Sequence, residues 1–313
     1  MNVYYTDHFA LPLPDWHRFP MAKYARLRAR VVEAGLVGPG ALIVPEAATD
    51  GQILRAHDAG YLRRVVEGTL ADTEVRDLGF PWSQGLVERS RRSSGATVAA
   101  CRAALRDGGS VNLAGGTHHA FRDRCGGYCV FNDAAIAARA VQAEGLARRV
   151  AVIDADVHQG DGTASILAGD PTVFTFSIHG ANNYPLRKQA SDLDVELPDG
   201  ADDAAYLQAL ERGLDEAIDL ARADLAIYLA GADPFVGDRL GRLALTKAGL
   251  AERDRFVFGR CRAAGIPVAV AMAGGYARDV QDTVDIHFET VRQAVELADG
   301  SPELRAQWPE YQS

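Results

Sequence analysis

Val150-Ala151-Val152-Ile153-Asp154-Ala155-Asp156-Val157-His158-Gln159-Gly160-Asp161 is the stretch that decides how this chain folds. It opens on an unbroken apolar run, rich in β-branched residues. Such a run suits a strand covered by helices on both faces rather than one with a solvated side. The segment then turns polar and offers carboxylates and an imidazole just before Gly160. An apolar strand emptying into a polar mouth is the pattern of the carboxyl edge of an open parallel sheet, where ligands bind.

The same pattern recurs on either side. Apolar runs at 111–113, 173–178, 225–229 and 268–272 lead into or contain Gly115-Gly116-Thr117-His118-His119, Ser177-Ile178-His179, Gly231-Ala232-Asp233 and Gly274-Gly275-Tyr276 respectively. With 3–5 and 150–153 they are the strand candidates. Helical periodicity fills the intervals. Val284, Phe288, Val291 and Val295 form one apolar stripe. Another helix spans about 247–264 and stops at Gly265, with Pro267 just beyond. Residues 180–200 lack periodicity and predict a long surface loop. Strands alternating with helices predict an α/β fold, a parallel sheet with helices on both faces, in one domain over 1–313.

Composition excludes several classes. Of 313 residues 48% are hydrophobic and 24% charged, the balance of a globular protein. No apolar run approaches the roughly 20 residues that span a bilayer, so no membrane segment is expected. The N-terminus lacks a basic region followed by an apolar stretch, and a cytoplasmic location is expected. Cys101, Cys125, Cys129 and Cys261 are too scattered for a disulfide framework and read as reduced thiols. A net charge of −9 argues against a bulk grip on nucleic acid. The local cluster Arg89-Ser90-Arg91-Arg92 reads as a solvated helix face.

The polar residues after the strands suggest chemistry. Asp156 and His158 are two apart, so on an extended strand end they point to one side. Asp233 supplies a third ligand from another strand end. Three ligands leave a position open, as in catalytic rather than structural metal sites. The alternative is a capping aspartate and a packed histidine. His118 and His119 sit among Gly115, Gly116, Gly126 and Gly127, which permit close backbone approach to a ligand. Asp154 and Asp161 remain as one carboxylate for each histidine, fixing its tautomer and raising its basicity. Their alternatives are a strand-end turn residue and a helix N-cap. Tyr276 follows two glycines, and its phenol is a candidate oxyanion donor or simply a partly buried ring over the sheet.

Taken together, Gly116-Thr117-His118-His119-Ala120, Gly127-Tyr128-Cys129 with Asn132-Asp133, Asp154-x-Asp156-x-His158-x-Gly160-Asp161-Gly162, Gly231-Ala232-Asp233 and Gly274-Gly275-Tyr276 resemble the zinc-dependent histone deacetylase family, over roughly residues 1–297. His57 and Tyr61 with Ala48-Thr49 resemble an early family segment more weakly. Phe19-Pro20-Met21-x-Lys23-Tyr24, Asn183-Tyr184-Pro185 and Gly237-Asp238-Arg239-Leu240-Gly241 resemble the class IV branch and its bacterial homologues.

The resemblance implies a three-layer arginase/deacetylase fold around a mainly parallel eight-stranded sheet. It implies Zn²⁺, or Fe²⁺, on Asp156, His158 and Asp233. It pairs His118 with Asp154 and His119 with Asp161, and makes Tyr276 the carbonyl-polarising phenol. Gly127, Tyr128 and Tyr184 would line the acyl channel. A structural K⁺ is implied near Asp154, Asp156, His158, Ser177 and Ile178, largely through backbone oxygens. Two features depart from the family pattern. Family members often carry Phe where Tyr128 and Tyr184 stand, and the acidic rim residue of class I enzymes has no clear counterpart.

The implied activity is metal-dependent hydrolysis of the amide of acyl-lysine on proteins or peptides, with acetylated polyamines or other small amines as the alternative. In it His119 is the general acid/base and His118 an electrostatic support. No G-x-S-x-G elbow suggests a serine nucleophile. A two-manganese ureohydrolase on the same fold would need extra carboxylates, but the positions two beyond His158 and Asp233 are Gly160 and Phe235. An inert binding module would not need the full set of ligands, histidines and Tyr276.

Overall fold

The computed structural model describes residues 1–14 and 16–299. Its strands are β1 (Asn2–Tyr4), β2 (Leu42–Ile43), β3 (Gly109–Asn112), β4 (Val150–Asp154), β5 (Val173–Gly180), β6 (Leu193–Leu197), β7 (Leu225–Leu229) and β8 (Val268–Ala271). They form one eight-stranded sheet in the order β2-β1-β3-β8-β7-β4-β5-β6, and every pairing is parallel.

The α-helices are α1 (Ala22–Glu33), α2 (Asp50–Ile53), α3 (Ala59–Glu67), α4 (Asp72–Leu78), α5 (Gln84–Asp107), α6 (Asp133–Ala143), α7 (Asp161–Leu167), α8 (Asp203–Ala221), α9 (Lys247–Ala263) and α10 (Val280–Asp299). Alternation along β4 shows the layering. Val150 and Val152 join a core with Val98 of α5 and Ile136 of α6. Ala151 and Ile153 join the opposite core with Leu214 of α8, Phe258 of α9 and Val291 of α10. Both faces are therefore dry at the centre of the sheet, which is why β4, β7 and β8 are apolar almost throughout. Each Val or Ile so covered is worth about 1.5–3 kcal/mol.

Two strands escaped the sequence pattern. Residues 180–200 are not one long loop, because they contain β6, paired with β5 at the sheet edge. β6 reads Leu193-Asp194-Val195-Glu196-Leu197 and is mostly half-buried, since an edge strand keeps charges toward water. β2 is two residues long and too short to carry a period. The helix expected over about 247–264 is α9, capped by the Thr246 side chain accepting from Gly249 N.

The arginine cluster on α5 splits. Arg91 and Arg92 pair with Asp50 and Glu88, whereas Arg89 is buried, so it does not belong to a solvated face.

Candidate active site

β3, β8, β7 and β4 lie side by side in the sheet, and their carboxyl ends deliver the candidate residues to one place. The segment after β3 carries His118 and His119. β4 runs into Asp154, Asp156 and His158, β7 into Asp233, and β8 into Tyr276. All of these are buried. His118, His119, Asp156, His158 and Tyr276 line a cavity of about 620 Å³.

Backbone donors orient the carboxylates. Asp156 Oδ1 accepts from His158 N at 3.0 Å, and its Oδ2 from Gly274 N at 2.7 Å. Asp233 Oδ1 accepts from Val157 N at 3.0 Å. Two glycines make this closeness possible. A Cβ on Gly274 would fall 2.0 Å from Asp233 Oδ2, and one on Gly231 would fall 2.6 Å from Asp156 Oδ2.

A cation fits here. One ligand atom each from Asp156, His158 and Asp233 can be chosen so that all lie within 4.8 Å of one another. His158 Nδ1 stands 2.9 Å from Asp156 Oδ1 and 3.3 Å from Asp233 Oδ2. Asp233 Oδ2 is nonetheless buried without a hydrogen-bond donor. A carboxylate oxygen left in that state costs free energy unless a positive group faces it. Burial opposes charge on His158, but Asp156 and Asp233 outweigh it and raise its pKa to about 10. The pocket calls for positive charge, and a bound metal would displace that proton.

The two histidines differ. His118 Nδ1 bonds Asp154 Oδ2 and His119 Nδ1 bonds Asp161 Oδ1, both at 2.7 Å. Burial works against a charged His118, yet Asp154 and Asp156 overcome it and raise its pKa to about 9. Burial and the neighbouring His118 charge instead lower His119 to about 4. Their rings are 4.1 Å apart, so a proton on one disfavours a proton on the other. Since a carboxylate only accepts, neutral His119 carries its hydrogen on Nδ1. Its Nε2 has no partner among the described residues and is free to take a proton. Asp161 is the first residue of α7, with Gly160 at the N-cap, and its carboxylate serves His119.

Tyr276 is held from several sides. Asp238 Oδ2 accepts from Tyr276 N at 2.6 Å, and Arg239 Nε donates to Tyr276 O at 3.0 Å. Lys23 Nζ donates to the Ala273 and Gly275 carbonyls and lies 5.4 Å from the Tyr276 ring centroid. Burial, with Asp233 and Asp156 nearby, pushes the phenol well above its ordinary pKa, so it keeps its donor hydrogen.

Gly127, Tyr128 and Tyr184 line the cavity. Tyr184 is 49% exposed and marks the mouth, with its ring 4.8 Å from that of His119. Gly127 has φ +52°, and a Cβ there would meet the His119 ring at 2.6 Å. In the β4–β5 register Asp154 pairs with Ser177, which brings Ile178 to the same edge.

Several supporting residues carry no signal of their own role in the sequence. Asp133 accepts from Gly116 N and Thr117 N, and Asn132 Nδ2 donates to the Ala120 carbonyl, fixing the histidine segment. His57 Nε2 accepts from Asn132 N at 2.9 Å, and Tyr61 donates to the Val130 carbonyl. Arg253 lies beneath the strand ends and donates to the Ala155 and Gly231 carbonyls at 3.2 and 2.6 Å. Asn132, Asp133, Lys23 and Asp238 were at least visible as parts of motifs. Arg253 sits in an ordinary helical pattern and was not.

The model of the histone deacetylase domain matches residues 17–291. This chain belongs to the histone deacetylase family. It is 45% identical over 285 residues to an uncharacterized protein of Picosynechococcus sp., covering 91% of this chain and 95% of that one. It is 31% identical over 283 residues to histone deacetylase 2 of Arabidopsis thaliana, covering 86% and 73%. In fold it is similar to a crystal structure of an HDAC homologue from Aquifex aeolicus, with a TM-score of 0.82 and 22% identity over 94% of this chain and 83% of that one. The three-layer deacetylase fold is the one expected, with its sheet parallel throughout.

Proposed function

We propose that this protein hydrolyses the amide bond of acyl-lysine in proteins or peptides, acetyl or another short acyl group first, with Zn²⁺ on Asp156, His158 and Asp233. The observation that carries the reading is the buried Asp233 Oδ2, which accepts no hydrogen bond, grouped with Asp156 and His158, which line the cavity together with two carboxylate-paired histidines and Tyr276. Family membership supports it. Zn²⁺ suits a set of two carboxylates and one imidazole with an open position, and when bound supplies Lewis acidity and lowers the pKa of water.

The chain's own groups do the rest. His119 Nε2 takes a proton from the attacking water as its oxygen bonds to the acyl carbon, and returns a proton to the departing amine nitrogen. Asp161 keeps the ring in the accepting tautomer. His118, charged against Asp154, stabilises negative charge nearby, and the Tyr276 O–H donates to the developing oxyanion. The carbon–nitrogen bond breaks, giving a carboxylate and a free amine. A K⁺ near Asp154, Asp156, His158, Ser177 and Ile178 would brace the β4 and β5 ends.

The exposed charged groups at the mouth are Arg76, Arg124 and Arg242 with Asp77, and Arg124 and Arg242 pair with Asp123 and Asp199, so the rim charges balance and the choice between a peptide and a polyamine falls to the test below. The four cysteines are free and buried, which fits a cytoplasmic protein. No described helix is long and apolar enough to cross a membrane.

The test compares an acetyl-lysine peptide with an N-acetylated polyamine, before and after chelation and zinc restoration. The expected result is peptide hydrolysis that chelation abolishes and zinc restores. Turnover of the polyamine alone would overturn the peptide reading, and inactivity on both would overturn the hydrolase.

A further inference from the structure

The Ala155 carbonyl lies between Asp154 and Asp156, and the Gly231 carbonyl lies just ahead of Asp233. Both residues are buried, and no backbone N–H of the described residues serves either oxygen. A buried carbonyl left in that state costs free energy. Arg253 Nη1 donates to both, at 3.2 Å and 2.6 Å. One nitrogen therefore ties the segment after β4, which carries Asp156 and His158, to the segment after β7, which carries Asp233.

The tie acts at short range. A Cβ on Gly231 would fall 2.8 Å from Asp156 Cα and 2.8 Å from Asp233 Oδ1, so the Gly231 backbone packs directly against both carboxylate residues. A drift of that backbone would move the ligand atoms it touches. Arg253 is itself anchored from the far side. Its Nε donates to Asp254 Oδ1 at 2.9 Å, and Asp254 accepts in turn from Tyr228 of β7 and Thr290 of α10. Arg253 is fully buried and is not among the residues that line the cavity, so its influence on the site runs through the backbone alone.

We propose that Arg253 is a positioning residue for the metal centre, which sets the spacing of Asp156, His158 and Asp233 by holding the Ala155 and Gly231 carbonyls together. The inference rests on the metal site proposed above. Groups that orient metal ligands from outside are typically worth about 10–100-fold in metal affinity. A lysine cannot replace this one, because an ammonium lacks the planar fork that reaches Asp254 and both carbonyls at once.

Arg253→Met alone leaves Asp254 buried and unpaired, which weakens the fold for a reason unrelated to metal. The decisive variant is therefore Arg253→Met combined with Asp254→Leu, which removes both charges and both carbonyl donations. Metal-free protein, shown to be folded by circular dichroism, is titrated with Zn²⁺ against a competing chelator. A parallel titration uses Co²⁺, whose visible absorption reports coordination geometry. Val98→Ala, a truncation of a buried side chain on α5, controls for lost stability.

The double variant should be more stable than Arg253→Met, yet bind Zn²⁺ about 10–100-fold more weakly than the parent, with an altered Co²⁺ spectrum. Arg253→Lys should fall between, and Val98→Ala should keep the parent's affinity and spectrum. Parent-like affinity and spectrum in the folded double variant would overturn the proposal and leave Arg253 a part of the fold only. Equal weakening in Val98→Ala would overturn it too, since lost stability would then account for the effect. Should the double variant not fold, Arg253→Lys decides by the same two readouts. A parent that binds neither ion sinks the metal site and the positioning role together, whereas parent-like variants sink the role alone.

Discussion

Two buried polar clusters flank the same strand ends and are built on opposite logic. On one side Arg253 and Asp254 are both fully buried and pair with each other at 2.8 Å, so their charges cancel within the chain even though Arg253 Nη2 makes no hydrogen bond. Asp254 Oδ1 accepts from Arg253 Nε at 2.9 Å and from the Tyr228 hydroxyl at 2.6 Å, while Oδ2 accepts from Thr290. Charge meets charge, one for one. On the other side the carboxylates of Asp154, Asp156, Asp161 and Asp233 have, besides backbone N–H groups, only His118, His119 and His158 as ionisable partners, and Asp233 Oδ2 accepts no hydrogen bond. That cluster has a surplus of negative charge that its own residues do not neutralise. Buried charge that the chain closes is structural, and buried charge left open is waiting for something from outside.

The sharpest way to break the comparison is to remove a charge from each cluster. Asp156→Asn, His158→Ala and Asp233→Asn should each lose bound metal and bring turnover to background. Metal-free Asp233→Asn should meanwhile be no less stable than the metal-free parent, since it lightens a like-charged set. Retained metal with normal turnover in any of the three would contradict the assignment. Arg253→Met should do the reverse and cost about 3–5 kcal/mol in denaturant unfolding, by leaving Asp254 buried and unpaired. A companion Asp254→Leu should recover part of that loss. A cost near zero in the single variant would mean that the closed cluster contributes nothing to the fold.

These clusters were not equally legible in the sequence. The open one announces itself because apolar runs end abruptly in Gly, Asp, His and Tyr, residues that a sheet edge would not collect for packing. The closed one is silent, because Arg253-Asp254 in a helix looks like any solvated pair until the tertiary structure buries it. The same blindness hid Arg89, whose neighbours on α5 do face outward. β6 was missed for the opposite reason: Asp194 and Glu196 follow from its place at the sheet edge, and edge position is a property of topology rather than local pattern. The sheet's parallel core was readable since both of its faces are dry.

Within the open cluster the two histidines also form a contrast. His119→Ala should lower kcat by about 10²–10⁴-fold, the usual worth of a positioned general acid/base, and His118→Ala by less. Equal losses with metal retained would remove the division of labour. A smaller effect distinguishes buried imidazoles outside the cluster. Burial holds His57 at a pKa of about 4, below its ordinary value of 6.5. The unfolded chain therefore takes up this proton first. The stability tied to neutral His57 is fully present above pH 6.5 and is lost as pH falls toward 4. The loss should be on the order of 2–3 kcal/mol across that window, and His57→Gln should show a correspondingly flatter pH dependence. An unchanged slope in the variant would assign the acid sensitivity elsewhere.

The central claim is that the open cluster is completed by a single divalent cation. Its most direct test is to strip the protein with chelator and return Zn²⁺ in fractional equivalents, following bound metal and acetyl-lysine hydrolysis together. The account predicts that both rise in proportion and level off at about one ion per chain. Full activity in the stripped protein, or a requirement for two equivalents of Mn²⁺, would contradict it.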